Sequence, residues 1–245
     1  MTRMTDEPSQ TADRRRIVAI GGGGFDPSAG DAALYRYLIA LTGKQRPEVC
    51  FIPTARGEDP NYIISFYQAF NALGAATRHL NFFPNPPTAD LASYLLPCDL
   101  IYVGGGNTKS MLALWREWGV DKILRQAWEQ GTVLAGVSAG SICWFEQGLT
   151  DSIPGAYTPL TCLGFLKGSD SPHFNSEAER RPTFHRLLSA GTMMAGYAAD
   201  DHAALRFDGE TLTEVIATHP NARAYRLRAE NGQVIEEAMD ARLLE

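Results

Sequence analysis

No two cysteines in the chain are spaced C-x-x-C, and the four present, Cys50, Cys98, Cys143 and Cys162, show no metal-ligand spacing. They read as buried, reduced thiols, and no metal is expected. A long apolar run is missing as well. Nothing in the 245 residues is long enough to span a bilayer, and residues 1–14 lack the apolar core of a signal peptide. A basic surplus is absent: the formal net charge is −6 and the isoelectric point about 5.4, with the basic residues scattered. That leaves no general attraction to phosphate backbones or anionic lipid. The dinucleotide glycine pattern is not completed either. "GGGG" (21–24) follows an apolar run, but Pro27 stands where the third glycine belongs, and "PTARGED" offers no clear acidic residue for a ribose. A cytoplasmic protein with no nucleic-acid and no membrane partner is the expectation.

What is present is apolar residue in quantity, 44% of the chain, enough for a large core. Short apolar runs at 15–22, 48–54, 78–83, 99–105 and 132–138 read as buried strands. Helical patterns at 31–42, 60–73, 88–95, 107–117 and 120–130 separate them. Strand and helix in alternation predict an α/β fold, a mostly parallel central sheet with helices on both faces. Ligands of such sheets sit beyond the carboxyl ends of the strands. After residue 145 the rhythm changes to a loop-like segment (146–175) and a helix at 176–190. Alternating strands follow, with hairpin turns at "DG" (208–209) and "NG" (231–232), and these are expected to extend the sheet. One domain over 15–245, preceded by a disordered polar tail (1–14), is the predicted organisation.

The stretch "AGVSAGSICW" (135–144) places Ser138 inside G-x-S-x-G, between an apolar strand and a helix. In a nucleophile elbow the serine sits on a strained turn, and small neighbours are needed where strand and helix nearly touch. Gly136, Ala139, Gly140 and Ser141 meet that need. "VGGGNTKS" (103–110) gathers backbone amides at a strand end, which suits an oxyanion, or simply a turn with an Asn or Thr helix cap. A serine also needs a base and a group to orient it. His79 and His219 read as structural or solvated, and His185 as a solvated helix residue. His173, in "SPHFN", sits well for a base, and His202, in "ADDHAAL", competes with it. Asp200 and Asp201 could orient either histidine.

"GGGNT", "GVSAGS", "PHF" and the acidic "YAADDHAAL", in this order, resemble the dipeptidase E family of serine peptidases, which includes aspartyl dipeptidase and the cyanophycinases. The resemblance covers about residues 16–209. It implies a fold related to the class I glutamine amidotransferases. It also implies a triad of Ser138, His173 and Asp201, with Asp200 as the alternative acid where relatives commonly carry Glu. The oxyanion donors would be the amides of Gly106 and Ala139, with Asn107 beside them. Cys143 lies five residues past the elbow serine, unlike the elbow cysteine of a glutamine amidotransferase. The implied substrate is a small peptide, with dipeptides carrying an N-terminal aspartate as the family's example. Arg180 and Arg181, with Arg186 nearby, are candidates to read its carboxylate. No cofactor is implied, and a homodimer is left open. The alternatives are an amidase or esterase of another substrate class, and a non-catalytic amidotransferase-like binding domain.

Overall fold

The computed structural model describes residues 13–25 and 31–245; the expected tail up to residue 12, and Pro27, lie outside the described residues. Five strands alternate with helices as the periodicity requires: β1 (Arg16–Ile20), α1 (Asp31–Leu41), β2 (Glu48–Ile52), α2 (Pro60–Asn71), β3 (Ala76–His79), α3 (Leu91–Leu95), β4 (Leu100–Val103), α4 (Thr108–Trp118), α5 (Val120–Glu129) and β5 (Val133–Val137). Local chemistry sets the boundaries. Asp59 accepts from the Asn61 amide and Pro60 opens α2, while Gly119, at φ 70°, closes α4.

These strands pair in parallel in the order β1-β5-β4-β2-β3. Successive side chains of β1 go to opposite faces. Ile17 and Ala19 join the core under α3, α4 and α5, with Leu95, Leu112, Trp115 and Leu124. Val18 and Ile20 join Leu34, Leu38, Phe66 and Phe70 under α1 and α2. Burying side chains of this kind is worth about 1.5–3 kcal/mol each.

Beyond β5 come α6 (Ala139–Ile142), β6 (Phe145–Ile153), β7 (Ala156–Thr161), β8 (Leu166–Ser171), α7 (Arg180–Ser189), β9 (Gly196–Ala199), β10 (Ala203–Asp208), β11 (Thr211–Ala217), β12 (Ala224–Glu230), β13 (Gln233–Met239) and β14 (Arg242–Leu243). The β10–β11 hairpin, turning at Asp208–Gly209, extends the first sheet on β1, and β14 pairs with β11 at its edge. The β12–β13 hairpin instead joins a second sheet, in the order β13-β12-β9-β8-β6-β7.

The segment 146–175, expected as loop, is therefore mostly strand. Its buried positions mix polar with apolar residues: Thr150, Ser169, Asp170 and Ser171 are as inaccessible as Leu149, Phe165 and Leu166. Apolar alternation, the usual signature of a half-buried strand, is consequently weak there. Helix α7 also starts four residues late, because Ser176 and Glu177 first turn back to the His173 carbonyl.

Candidate active site

The carboxyl end of β1 organises the site through three consecutive carbonyls. Ile20 accepts from the Ser138 amide (3.0 Å), Gly21 from the His173 amide (3.0 Å) and Gly22 from the His202 amide (3.1 Å). Three segments far apart in sequence are thus registered on one short piece of backbone. A side chain at Gly22 would run into the Asp201 carboxylate and the His173 ring. Gly22 continues the strand direction as a bridge to Asp201, and the missing side chains of Gly21 and Gly22 make room for the groups beside them.

Ser138 follows β5 with φ 57° and ψ −112°, a backbone conformation that non-glycine residues rarely adopt. The turn is tight because a Cβ on Gly136 would strike the Gly140 carbonyl, and one on Gly140 the Val103 carbonyl. The G-x-S-x-G spacing therefore has a steric cause here. Ser138 is partly exposed, and its Oγ makes no hydrogen bond among the described residues. Catalytic hydrogen bonds are often long in unliganded sites and tighten with substrate.

His173 is likewise at positive φ (53°), and its Nδ1 lies 2.6 Å from Asp201 Oδ1. The Asp201 amide is held by Asn175 Oδ1 at 2.9 Å. Burial pushes the Asp201 carboxyl up, but hydrogen bonds from His173 and Ser176 outweigh that and leave it below the ordinary carboxylate range. Asp200 is placed differently. Its Oδ2 accepts from the Arg223 amide (3.0 Å) and the Tyr225 hydroxyl (3.4 Å), and burial raises its pKa. Asp200 ties β12 to the end of β9, and Asp201 alone of the two meets His173.

Two of the other histidines are bonded elsewhere, and the buried His202 Nδ1 makes no hydrogen bond among the described residues. His79 Nδ1 meets the Tyr67 hydroxyl at 2.7 Å, with its pKa lowered by burial, and His185 Nε2 meets Glu236 at 2.6 Å. His202 Nδ1 is 3.6 Å from Asp31, and its ring centre 6.3 Å from that of His219. Cys143 is fully buried, its thiol pushed well above its ordinary pKa by desolvation.

The loop after β4 lies against the elbow: a Cβ on Gly105 would sit 3.1 Å from Ser138 Cβ. The amides of Gly106 and Ala139 carry no hydrogen bond among the described residues. Asn107 is fully engaged. Its amide donates to the Ala55 carbonyl, its Oδ1 caps α4 at Ser110, and its Nδ2 donates to the Ser152 carbonyl. Arg180 is buried, bonded to Glu177 and the Leu149 carbonyl and stacked on Tyr157. Arg181 pairs with Glu236 and stacks on Phe174 and Tyr225. Both charges are thus already neutralised within the second sheet and its helix.

One pair of residues beside the site was not anticipated. Asp170, fully buried in β8, accepts from Ser141 Oγ at 2.7 Å. Burial carries its pKa up to about 7. The contact ties the helix behind Ser138 to the strand leading to His173. The "SAGS" motif contained Ser141, but nothing in sequence pointed to its partner. No group of three or more His, Cys, Asp or Glu side chains that could hold a metal is found among the described residues.

The sequence profile of peptidase family S51 matches residues 17–215. The chain belongs to that family. The "uncharacterized peptidase YgaJ" of Bacillus subtilis (strain 168) is 46% identical over 222 residues, covering 91% of this chain and 96% of the relative. The "uncharacterized peptidase Lmo0363" of Listeria monocytogenes is 26% identical, covering 68% of this chain and 84% of the relative. In fold the chain is similar to a crystal structure of a peptidase from an acI-B1 Actinobacterium, with a TM-score of 0.67 and 21% identity over 92% of this chain and 94% of the other. It is also similar to a putative peptidase E protein from Listeria monocytogenes EGD-e, with a TM-score of 0.58 and 19% identity over 92% and 99%. Membership in family S51 makes the chain a peptidase, and so a hydrolase. No helix among the described residues is long and apolar enough to cross a membrane.

Proposed function

We propose that this S51 peptidase is a serine-type enzyme that cleaves small peptides through an acyl-enzyme on Ser138. The observation that carries this reading is the Nδ1–Oδ1 contact of His173 and Asp201, anchored on the same strand end that holds the strained Ser138. His173 Nε2 takes the Ser138 proton as Oγ attacks the peptide carbonyl, while Asp201 holds Nδ1 protonated and steadies the imidazolium that forms. The Gly106 and Ala139 amides receive the oxyanion; donors placed where charge develops are worth about 2.7–4 kcal/mol each. His173 then returns the proton to the leaving amine, and water, activated by the same histidine, releases the acyl group.

Asn107 shapes this arrangement by holding the loop, since its polar atoms are spent on Ala55, Ser110 and Ser152. A short peptide, dipeptides with an N-terminal aspartate among them, is the substrate class we favour on the resemblance of the motifs. The test is a peptidase assay over a panel of short peptides with wild type and Ser138→Ala. The reading expects turnover by wild type and its loss in a variant with an unchanged melting temperature. Equal turnover in both would overturn it.

A further inference from the structure

Arg180 and Arg181 are closed off by Glu177 and Glu236, so a substrate carboxylate needs another cation. Arg56 is one. It ends the short 3-10 turn Thr54–Arg56, is exposed, and has no carboxylate partner among the described residues. The two acids that follow it are occupied: Glu58 accepts from the amides of Phe82 and Phe83, and Asp59 caps α2.

The backbone of Arg56 packs directly on the oxyanion loop. Gly106 has φ 138°, and a Cβ there would overlap Ala55 and come within 2.8 Å of the Arg56 amide nitrogen. The Arg56 guanidinium lies 4.7 Å from the centre of the Tyr62 ring, and the Tyr62 hydroxyl accepts from the Gly105 amide at 3.2 Å. Gly105 in turn lies against Ser138. A charged planar group, stacked on an aromatic and facing no acid of its own, is preorganised for bidentate carboxylate binding. Arg186 on α7 is less suited, because its groove also contains Asp151 and Glu179.

We propose that Arg56, stacked on Tyr62 beside the Gly104–Gly106 loop, is the specificity residue that binds a carboxylate of the peptide substrate. The inference rests on Ser138 as the reacting centre. A peptide offers that carboxylate either at its C-terminus or on an acidic side chain, and the chemistry of recognition is the same.

Equilibrium binding separates this proposal from the question of turnover. Calorimetric titrations would use the full chain carrying Ser138→Ala, with and without Arg56→Gln, against aspartyl-leucine, its C-terminal amide and asparaginyl-leucine. Melting temperatures establish that each variant is folded. The expected result is a loss of about ten-fold or more in affinity for aspartyl-leucine on Arg56→Gln. Neutralising the recognised carboxylate should cost the parent a similar factor and cost Arg56→Gln nothing further. The amide identifies the C-terminus as the partner and the asparaginyl peptide the side chain, and Arg56→Lys should fall between. Affinities unchanged by Arg56→Gln, or reduced equally for all three peptides, would overturn the proposal, as would a parent that binds none of them at millimolar concentration. Ser138 is judged separately by covalent labelling of the wild type, so a failure of either idea is recognisable.

Discussion

Asp200 and Asp201 are neighbours with opposite fates, because one faces into the β9–β12 contact and the other sits beside Gly22, against His173. Asp201→Asn removes the carboxylate that fixes the His173 tautomer, so kcat should fall on the order of 10³–10⁴-fold, far beyond what the modest accompanying loss of stability explains. Steady-state kinetics beside thermal melts check this, and Asp200→Asn should leave kcat within a few fold. Asp170 offers a pH prediction of definite sign. Its folded pKa, about 7, lies above the ordinary value of 3.8, so between those values the folded state holds the proton that the unfolded chain releases. Its contribution to stability is therefore intact at low pH and is lost as pH rises toward and through 7. Asp170→Asn, which cannot ionise, should flatten the decline in urea-unfolding free energy between pH 5 and pH 8. Asp201, with its lowered pKa, has the opposite linkage: its stabilisation is present above the ordinary carboxylate range and fades as pH falls through the folded value.

The elbow is an element whose geometry the sequence foretells, because the steric demand falls on residues four apart that must both lack a Cβ. Gly140→Ala would press a methyl into the Val103 carbonyl and should cost about 1–3 kcal/mol or more, read as a lowered melting temperature together with lost activity. The alternation of strands and helices through residue 137 was equally legible, since every strand there except the half-buried edge strand β3 is buried by helices on both faces. Strands β6–β8 were not. Their inward residues include Thr150, Ser169 and Asp170, whose packing is decided by partners such as Ser141 that no local pattern announces. The role of Gly22 was also hidden, because the glycine's neighbours, His173 and Asp201, arrive from 151 and 179 residues away.

At the scale of the whole molecule, two sheets meet around the site. β8 of the second sheet leads to His173, whose amide bonds to the end of β1 in the first. β9 of the second sheet leads through Asp200 and Asp201 into β10 of the first. Such cross-connection should make unfolding a single transition. Phe184, fully buried in the core of the second sheet with Leu188 and Leu227, tests this. Phe184→Ala should cost about 3–5 kcal/mol, and fluorescence and circular dichroism should still report one coincident urea midpoint. Two separated midpoints would mean the second sheet folds independently of the site.

The central claim is that Ser138 is an activated nucleophile. Intact-mass analysis after incubation with a small fluorophosphonate tests it most directly, on wild type and on Ser138→Ala. The account predicts one adduct on wild type and none on the variant. A folded wild type that stays unlabelled, or a variant labelled as readily as wild type, would contradict it.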